Sequence, residues 1–149
     1  MRDTGSKLKW CHNFILGYTD TETVMLDFDY ASLDTVKYWA RMMVRRFKLG
    51  GFLILESSEN CFHVVFNRRV SWSENLSIVG WVVLMTHHRS LQMWHLMQCI
   101  KQSMTLRVSP KGDKPSPRIV YREGSQDGQI KGFLCYRTKM EWIMDNLLG

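Results

Sequence analysis

Two aspartates separated by one residue are the first pair whose types and spacing suit a chemical role. Asp27 and Asp29 lie in residues 23–30, where apolar residues alternate with others. In a β-strand such residues point to one face, about 7 Å apart along the strand. Two carboxylates on one face repel each other, and a bound divalent cation relieves that repulsion. The pair predicts a metal site for Mg²⁺ or Mn²⁺, which can bridge nucleotide phosphates; two solvated carboxylates are the alternative.

A histidine within a second apolar segment is the next candidate. His63 lies in residues 61–66, where alternation places it on the face opposite Phe62 and Val64. There it could contact a phosphate or a nucleotide sugar, or donate a proton. A histidine that is simply a hydrogen-bonded sheet residue is the alternative interpretation.

Basic residues gather around a loop, residues 109–117, that contains all three prolines. Cations on a flexible loop between strands suit the phosphate backbone of nucleic acid, whereas a solvated loop is the alternative. Alternation predicts that Arg118 and Arg122 share one face of a strand. The residues predicted to bind nucleic acid are Arg107, Lys111, Lys114, Arg118 and Arg122.

The elements that must position these residues alternate between strands and helices. Ser32 is a predicted N-cap, and Ser73 is another. The order predicts an α+β fold: an antiparallel sheet of the RNA-recognition-motif kind, with helices packed on one face and the other face free to carry a site. The predicted strands are 23–30, 52–55, 61–66, 104–109, 117–121 and a short one near 133–136. The first predicted helix follows Ser32 and ends at Gly50-Gly51, and the others are 74–85, 91–102 and 138–148.

Composition narrows the class of protein. The chain has 149 residues, of which 45% are hydrophobic and 23% charged, so we expect one folded domain over residues 1–149. A net charge of +6 permits an anionic partner such as nucleic acid. No apolar run approaches the roughly 18 residues that span a bilayer, and no signal-type stretch opens the sequence. We therefore expect a cytoplasmic protein with no membrane partner.

The order of these motifs resembles the archaeo-eukaryotic primase family, which includes primase-polymerases of plasmids and viruses. Leu26-Asp27-Phe28-Asp29 matches the family's hydrophobic-Asp-x-Asp motif, and Cys61-Phe62-His63 matches its small-x-His motif. The resemblance, over residues 23–121, implies a DNA replication protein with metal-dependent nucleotidyltransferase activity. Its partners would be DNA, nucleoside triphosphates and a replication protein.

The same resemblance implies a role for each matched residue. Asp27 and Asp29 would hold the catalytic metal, and His63 would contact the phosphates of the incoming nucleotide. Arg107 or Lys111 would support the template or the triphosphate. The family's third acidic motif has no counterpart, because residues 103–109 contain no carboxylate. The chain could therefore be a catalytic core that needs a partner, or a descendant that only binds DNA.

Two other functions fit parts of the sequence. A rolling-circle replication initiator needs a His-hydrophobic-His motif on a strand and a tyrosine nucleophile in a Tyr-x-x-Lys motif. Tyr136 and Lys139 fit the tyrosine motif, but Cys61-Phe62-His63 supplies only one of the two histidines. A noncatalytic nucleic-acid-binding module would stack bases on exposed aromatic residues. Its candidate residues are Tyr18, Tyr30 and Tyr121. An inert interaction domain is a further alternative.

Overall fold

A computed structural model describes residues 14–148 of the chain. In this part, six strands and four helices follow one another, and a π-helical turn, Met144–Leu148, follows the last helix. In chain order they are β1 (Gly17–Asp20), β2 (Thr23–Asp29), α1 (Leu33–Phe47), β3 (Gly51–Ser58), β4 (Cys61–Arg69), α2 (Trp72–Thr86), α3 (Arg89–Lys101), β5 (Met104–Arg107), β6 (Arg118–Gly124) and α4 (Gln129–Ile143).

The main sheet is antiparallel and has the strand order β2-β4-β3-β6. Strands β2 and β3 are joined by α1, and β4 lies between them, so the three strands and the helix form a split strand-helix-strand unit. Strands β1 and β5 pair separately as a two-stranded antiparallel ribbon. The predicted α+β class with an RNA-recognition-motif-like antiparallel sheet is confirmed.

Helices α1 and α2 pack on the sheet face that carries Phe52 and Phe66. The hydroxyl of Ser32 accepts a hydrogen bond from the Thr35 amide at 3.2 Å, which confirms the predicted cap of α1. Helix α2 is capped by Ser71 instead of the predicted Ser73. The side chains that α1 and α2 bury are Val36, Ala40, Met43, Asn75, Ile78, Val79 and Val82.

The opposite face of the sheet is less open than the sequence predicts. Met25, Leu53 and Val65 lie there and are fully buried, so this face needs a cover. Helix α4 supplies part of it: the Gly128 amide, just before α4, donates to Asn67 Oδ1 at 2.7 Å. The ribbon packs against this helix in turn, because Tyr18 lies edge-on against Phe133 of α4. The end of the sheet near Asp27 and Asp29 borders a cleft on this face.

Two features of the observed elements differ from the sequence predictions. The short strand near residues 133–136 is wrong, because α4 begins at Gln129 and buries Ile130 and Phe133 at helical spacing. Strands β5 and β6 flank the proline-containing loop as predicted, and they pair with β1 and β3, respectively. Strand β1 was not predicted. Among residues 14–148, no helix has the length and apolar character needed to cross a membrane.

Candidate functional site

The edge strand β2 and its neighbour β4 bring the sequence-predicted aspartates and histidine together. Asp27 on β2 lies directly opposite His63 on β4, and Asp29 lies opposite Cys61. Directly opposed residues share a face, so both aspartates and His63 face the same way. Asp27 Oδ1 lies 3.6 Å from His63 Nε2. The two motifs, 36 positions apart in the chain, therefore meet at one place in the fold.

A cleft of about 250 Å³ opens beside this pair. Asp27 and Asp29 line it from the sheet, while Lys111 and Lys114 line it from the proline-containing loop. Carboxylates and ammonium groups thus border the same small space. The residues that line the cleft are Ile15, Asp27, Asp29, Ser57, Ser58, His63, Arg107, Lys111 and Lys114.

Arg107 holds the loop against the sheet. Its guanidinium donates to the carbonyl oxygens of Ser109 and Pro115, the latter at 3.1 Å. It also donates to the carbonyl of Ser57, at the end of β3, at 3.3 Å. Because these bonds join the loop to β3, Arg107 fixes the shape of the cleft as well as adding a positive charge.

The loop that carries the two lysines closes in a tight turn. Lys111 and Lys114 exchange both backbone hydrogen bonds, each at 3.0 Å, with Gly112 and Asp113 between them. Gly112 has a φ of +57°, a conformation that glycine adopts without steric strain. Asp113, the carboxylate that follows β5 most closely in the chain, is exposed and does not line the cleft.

Asp27 is a carboxyl group in an unfavourable environment. Burial raises its pKa to about 7, and the neighbouring charge of Asp29 adds to the rise, although Arg107, Lys114 and Lys111 oppose it. The side chain is still 26% exposed, on the side of the cleft. A ligand in the cleft can therefore reach a carboxylate whose charge the protein compensates poorly.

His63 forms the buried floor of the cleft. Its side chain is 5% exposed, and burial, together with the charge of Arg107, lowers its pKa to about 3. The imidazole is therefore neutral at physiological pH, and its contact with Asp27 is not an ion pair. Its Nδ1 atom is buried and has no hydrogen-bond partner among the described residues. Such an unsatisfied ring nitrogen is uncommon and is compatible with a role in ligand binding.

The aspartates fit a hard divalent cation in part. They supply carboxylate oxygens, which Mg²⁺ and Mn²⁺ prefer, and Asp27 gains from any added positive charge. Residues 14–148 contain no group of three or more His, Cys, Asp or Glu side chains placed to hold a metal. Mg²⁺ is commonly held by one or two carboxylates together with substrate phosphates and water. The cleft suits that mode of binding and not an all-protein metal centre.

The five cations predicted to bind nucleic acid do not form one cluster. Arg107, Lys111 and Lys114 line the cleft. Arg118 lies opposite Glu56 and pairs with its carboxylate at 2.8 Å, whereas Arg122 lies opposite Leu53. The predicted shared face of Arg118 and Arg122 is wrong. The β6 register shifts by one residue between their partners, and this bulge turns the two arginines to opposite faces.

Most of the aromatic residues proposed for base stacking are packed inside the fold. Tyr18 contacts the rings of Phe133 and Tyr136. Tyr121 lies on the α1 side of the sheet, where the Arg41 guanidinium donates to its hydroxyl at 3.0 Å. Of the three, Tyr30 alone is well exposed, at 86%. The structure does not bring these tyrosines together as a stacking surface.

Two serines that were not among the predicted site residues also line the cleft. Ser57 and Ser58 end β3 beside Cys61, the cross-strand partner of Asp29. A usable signal was present: the polar end of an apolar strand, in a hairpin with the histidine strand, must lie beside the polar end of β2.

Comparisons with protein-family models, with curated proteins and with solved structures found no match to this chain. The chemistry of the cleft therefore rests on its own residues.

Proposed function

We propose that this protein is a small primase-like replication protein whose cleft binds a metal–nucleoside triphosphate complex for nucleotidyl transfer onto DNA. The observation that carries the proposal is the composition of the cleft. Its volume is about 250 Å³, and it is lined by two carboxylates on β2 and by the cations of one loop. A triphosphate with its divalent cation needs both kinds of group in one small space.

Each side chain then has a definite task. Asp27 and Asp29 would hold the cation, which would neutralise phosphate charge that develops during transfer. Lys111 and Lys114 attract the polyphosphate, and Arg107 positions their loop through Ser57 and Pro115. His63, held neutral by burial, offers a ring N–H to a phosphate oxygen. The motif resemblance implies the same roles for the aspartates and the histidine.

The absence of a third acid limits what the cleft can do by itself. In the described chain, β5 contributes Arg107 to the cleft where the family pattern has an acid. A second metal would find no further carboxylate there, so we propose one cation and one triphosphate, with assistance from a replication partner for full activity.

Nucleotide incorporation on a single-stranded template with Mg²⁺ or Mn²⁺ tests the proposal. The comparison is between the wild type, Asp27→Asn/Asp29→Asn and a charge-matched control, Asp34→Asn/Asp145→Asn, whose residues are exposed and outside the cleft. We expect product from the wild type and the control and none from the cleft variant. Equal amounts of product from all three proteins would show that Asp27 and Asp29 take no part in nucleotide incorporation.

The initiator alternative has weaker support. The hydroxyl of Tyr136 donates to the Gly17 carbonyl at 2.8 Å, and Tyr136 is not among the residues that line the cleft. His87 and His88 lie between α2 and α3, where His88 contacts the Asp29 carbonyl oxygen. A labelled origin strand in the same assay would reveal a covalent tyrosyl adduct if the initiator mechanism operated.

A further inference from the structure

A second basic feature lies between β6 and α4, on the same sheet face as the cleft. This α4–β6 groove has a volume of about 440 Å³ and is lined by residues that include Arg122, Lys131, Leu134, Cys135, Thr138 and Lys139. No carboxylate lines it. The groove therefore differs from the cleft, which is lined by both positively and negatively charged side chains.

The cations of the groove are unpaired, unlike many others on the surface. Within residues 14–148, neither Arg122, Lys131 nor Lys139 has an ion pair or a side-chain hydrogen bond. Five other arginines of the described chain are paired with nearby carboxylates. The pairs are Arg41 with Glu123, Arg68 with Glu74, Arg69 with Glu22, Arg118 with Glu56 and Arg137 with Glu141. Three uncompensated cations in one groove form a local positive field that attracts an anionic chain.

Both walls of the groove are held in place by contacts outside it. Strand β6 is hydrogen-bonded along β3. Helix α4 is fixed by the Tyr136 hydroxyl on the Gly17 carbonyl at 2.8 Å and by the Arg137 guanidinium on the Pro117 carbonyl at 2.9 Å. The spacing of the cations is thus set before any ligand binds, which lowers the entropy lost on binding.

The spacing suits a polymer of phosphates. Lys131 and Lys139 are eight residues apart on α4, which is about 12 Å along a helix axis. Successive phosphates of one nucleic-acid strand advance by about 3.4 Å in a duplex, so the two lysines would contact different phosphates.

We infer that the α4–β6 groove binds the phosphodiester backbone of the nucleic acid on which the protein acts. This inference rests on the proposed function and deepens it by giving the nucleic acid a place on the molecule. Arg137 links the helical wall to Pro117, the residue that ends the loop of the cleft. A strand held in the groove is thus next to the loop that we propose to hold the triphosphate.

Cys135 offers a test on the unmodified protein. Its thiol is free and exposed within the groove, whereas Cys61 and Cys99 are only partly exposed. The protein is alkylated under three conditions: with a 20-nucleotide single strand, with a duplex of the same sequence, and without DNA. Peptide mass spectrometry then gives the alkylation rate of each cysteine. We expect DNA to slow alkylation of Cys135 by about 3-fold or more, because reactivity follows access. Protection by one form only assigns the groove to that form; protection by neither overturns the inference.

A charge-matched pair of variants provides the second measurement. Arg122→Gln/Lys131→Gln/Lys139→Gln is compared with Arg45→Gln/Lys48→Gln/Arg89→Gln, which removes three exposed cations elsewhere. Binding of the labelled DNA is measured by anisotropy without metal or triphosphate. We expect the groove variant to bind about 10-fold more weakly, with a salt slope smaller by about 2, and the control to change by less than about 3-fold. Equal weakening would show that net charge alone binds DNA and would overturn the inference.

This experiment separates the two proposals. DNA binding without metal does not depend on Asp27 or Asp29, so a failure of nucleotide incorporation leaves the groove result intact. Conversely, active incorporation by a protein whose Cys135 stays unprotected would place the nucleic acid elsewhere while preserving the chemistry of the cleft.

Discussion

The cleft and the α4–β6 groove open on the same face of one sheet, yet they present different charges. The cleft places Asp27 and Asp29 across from Lys111 and Lys114, and the groove presents cations and no carboxylate. A site with both signs can hold an anion together with a metal cation, whereas a purely basic groove suits an anionic chain with mobile counterions. Under our proposals, one sheet face would carry nucleotide binding at the cleft and strand binding at the groove between β6 and α4.

The largest expected effect comes from removing the acidic side of the cleft. In Asp27→Asn/Asp29→Asn, nucleotide incorporation should fall by more than about 100-fold, because no other carboxylate lines the cleft. DNA binding in the groove should be unchanged or slightly tighter, since two negative charges are lost. Primer-extension gels and anisotropy on the same preparations check both. A parallel loss of DNA binding would show that the two regions are one site.

The free energy of unfolding provides a further test of the cleft, because a buried functional carboxylate can destabilise the fold that holds it. The folded pKa of Asp27 is raised from 3.8 to about 7, so the folded chain holds the proton more tightly between these values. Ionised Asp27 therefore lowers stability progressively as the pH rises from 3.8 to 7, and by a constant amount above 7. Asp27→Asn should stabilise the protein by about 2 to 4 kcal/mol at pH 8 and by less at pH 5.

Urea unfolding at the two pH values measures that difference. His63 acts in the opposite direction, because its lowered pKa makes stability rise between pH 3 and 6.5, but it is present in both proteins. The difference between wild type and variant therefore isolates Asp27. A variant that is less stable than the wild type at pH 8 would mean that Asp27 has a structural role.

The basic side of the cleft should give an intermediate effect. Lys111→Gln/Lys114→Gln should weaken triphosphate binding by about 10-fold and should change DNA binding by less than about 3-fold. The lysines line the cleft and lie outside the groove, which is the reason for this asymmetry. Calorimetry with a triphosphate and anisotropy with DNA measure the two affinities. The reverse asymmetry would place the DNA over the loop.

The smallest effect should come from Arg118. Its guanidinium is paired with Glu56 and it lies on the α1 side of the sheet, away from both regions. Arg118→Gln should change DNA affinity by less than about 2-fold and stability by less than about 1 kcal/mol, because exposed ion pairs contribute little. Anisotropy and urea unfolding check this; a loss as large as that of the groove variant would return Arg118 to the binding surface.

The sequence predicts the acidic side of the cleft better than the basic side. Alternation along two strands is local, so the faces of Asp27 and His63 follow from each strand alone. The basic residues depend on long-range pairing. A bulge in the β6 register places Arg118 and Arg122 on opposite faces of the sheet, and no local sequence pattern reveals this bulge.

The α4–β6 groove could not be predicted because its helical wall was missed. Gly128 and Gly132 interrupt the helical pattern, and residues 133–136 form a short apolar run that fits a strand as well as a helix. Tertiary contacts decide the outcome: Asn67 receives the Gly128 amide, and Phe133 packs against Tyr18. Arg122 was predicted to bind nucleic acid, but its neighbours Lys131 and Lys139 become visible only once α4 packs beside β6.

The most direct test of the central claim is a calorimetric titration of a nucleoside triphosphate into the protein with and without Mg²⁺. It would compare the wild type, Asp27→Asn/Asp29→Asn and the control Asp34→Asn/Asp145→Asn. We expect Mg²⁺-dependent binding in the wild type and the control, and loss of the Mg²⁺ dependence in the cleft variant. Binding that is indifferent to Mg²⁺ in all three proteins, or no binding in any, would contradict the assignment of the cleft as a metal–triphosphate site.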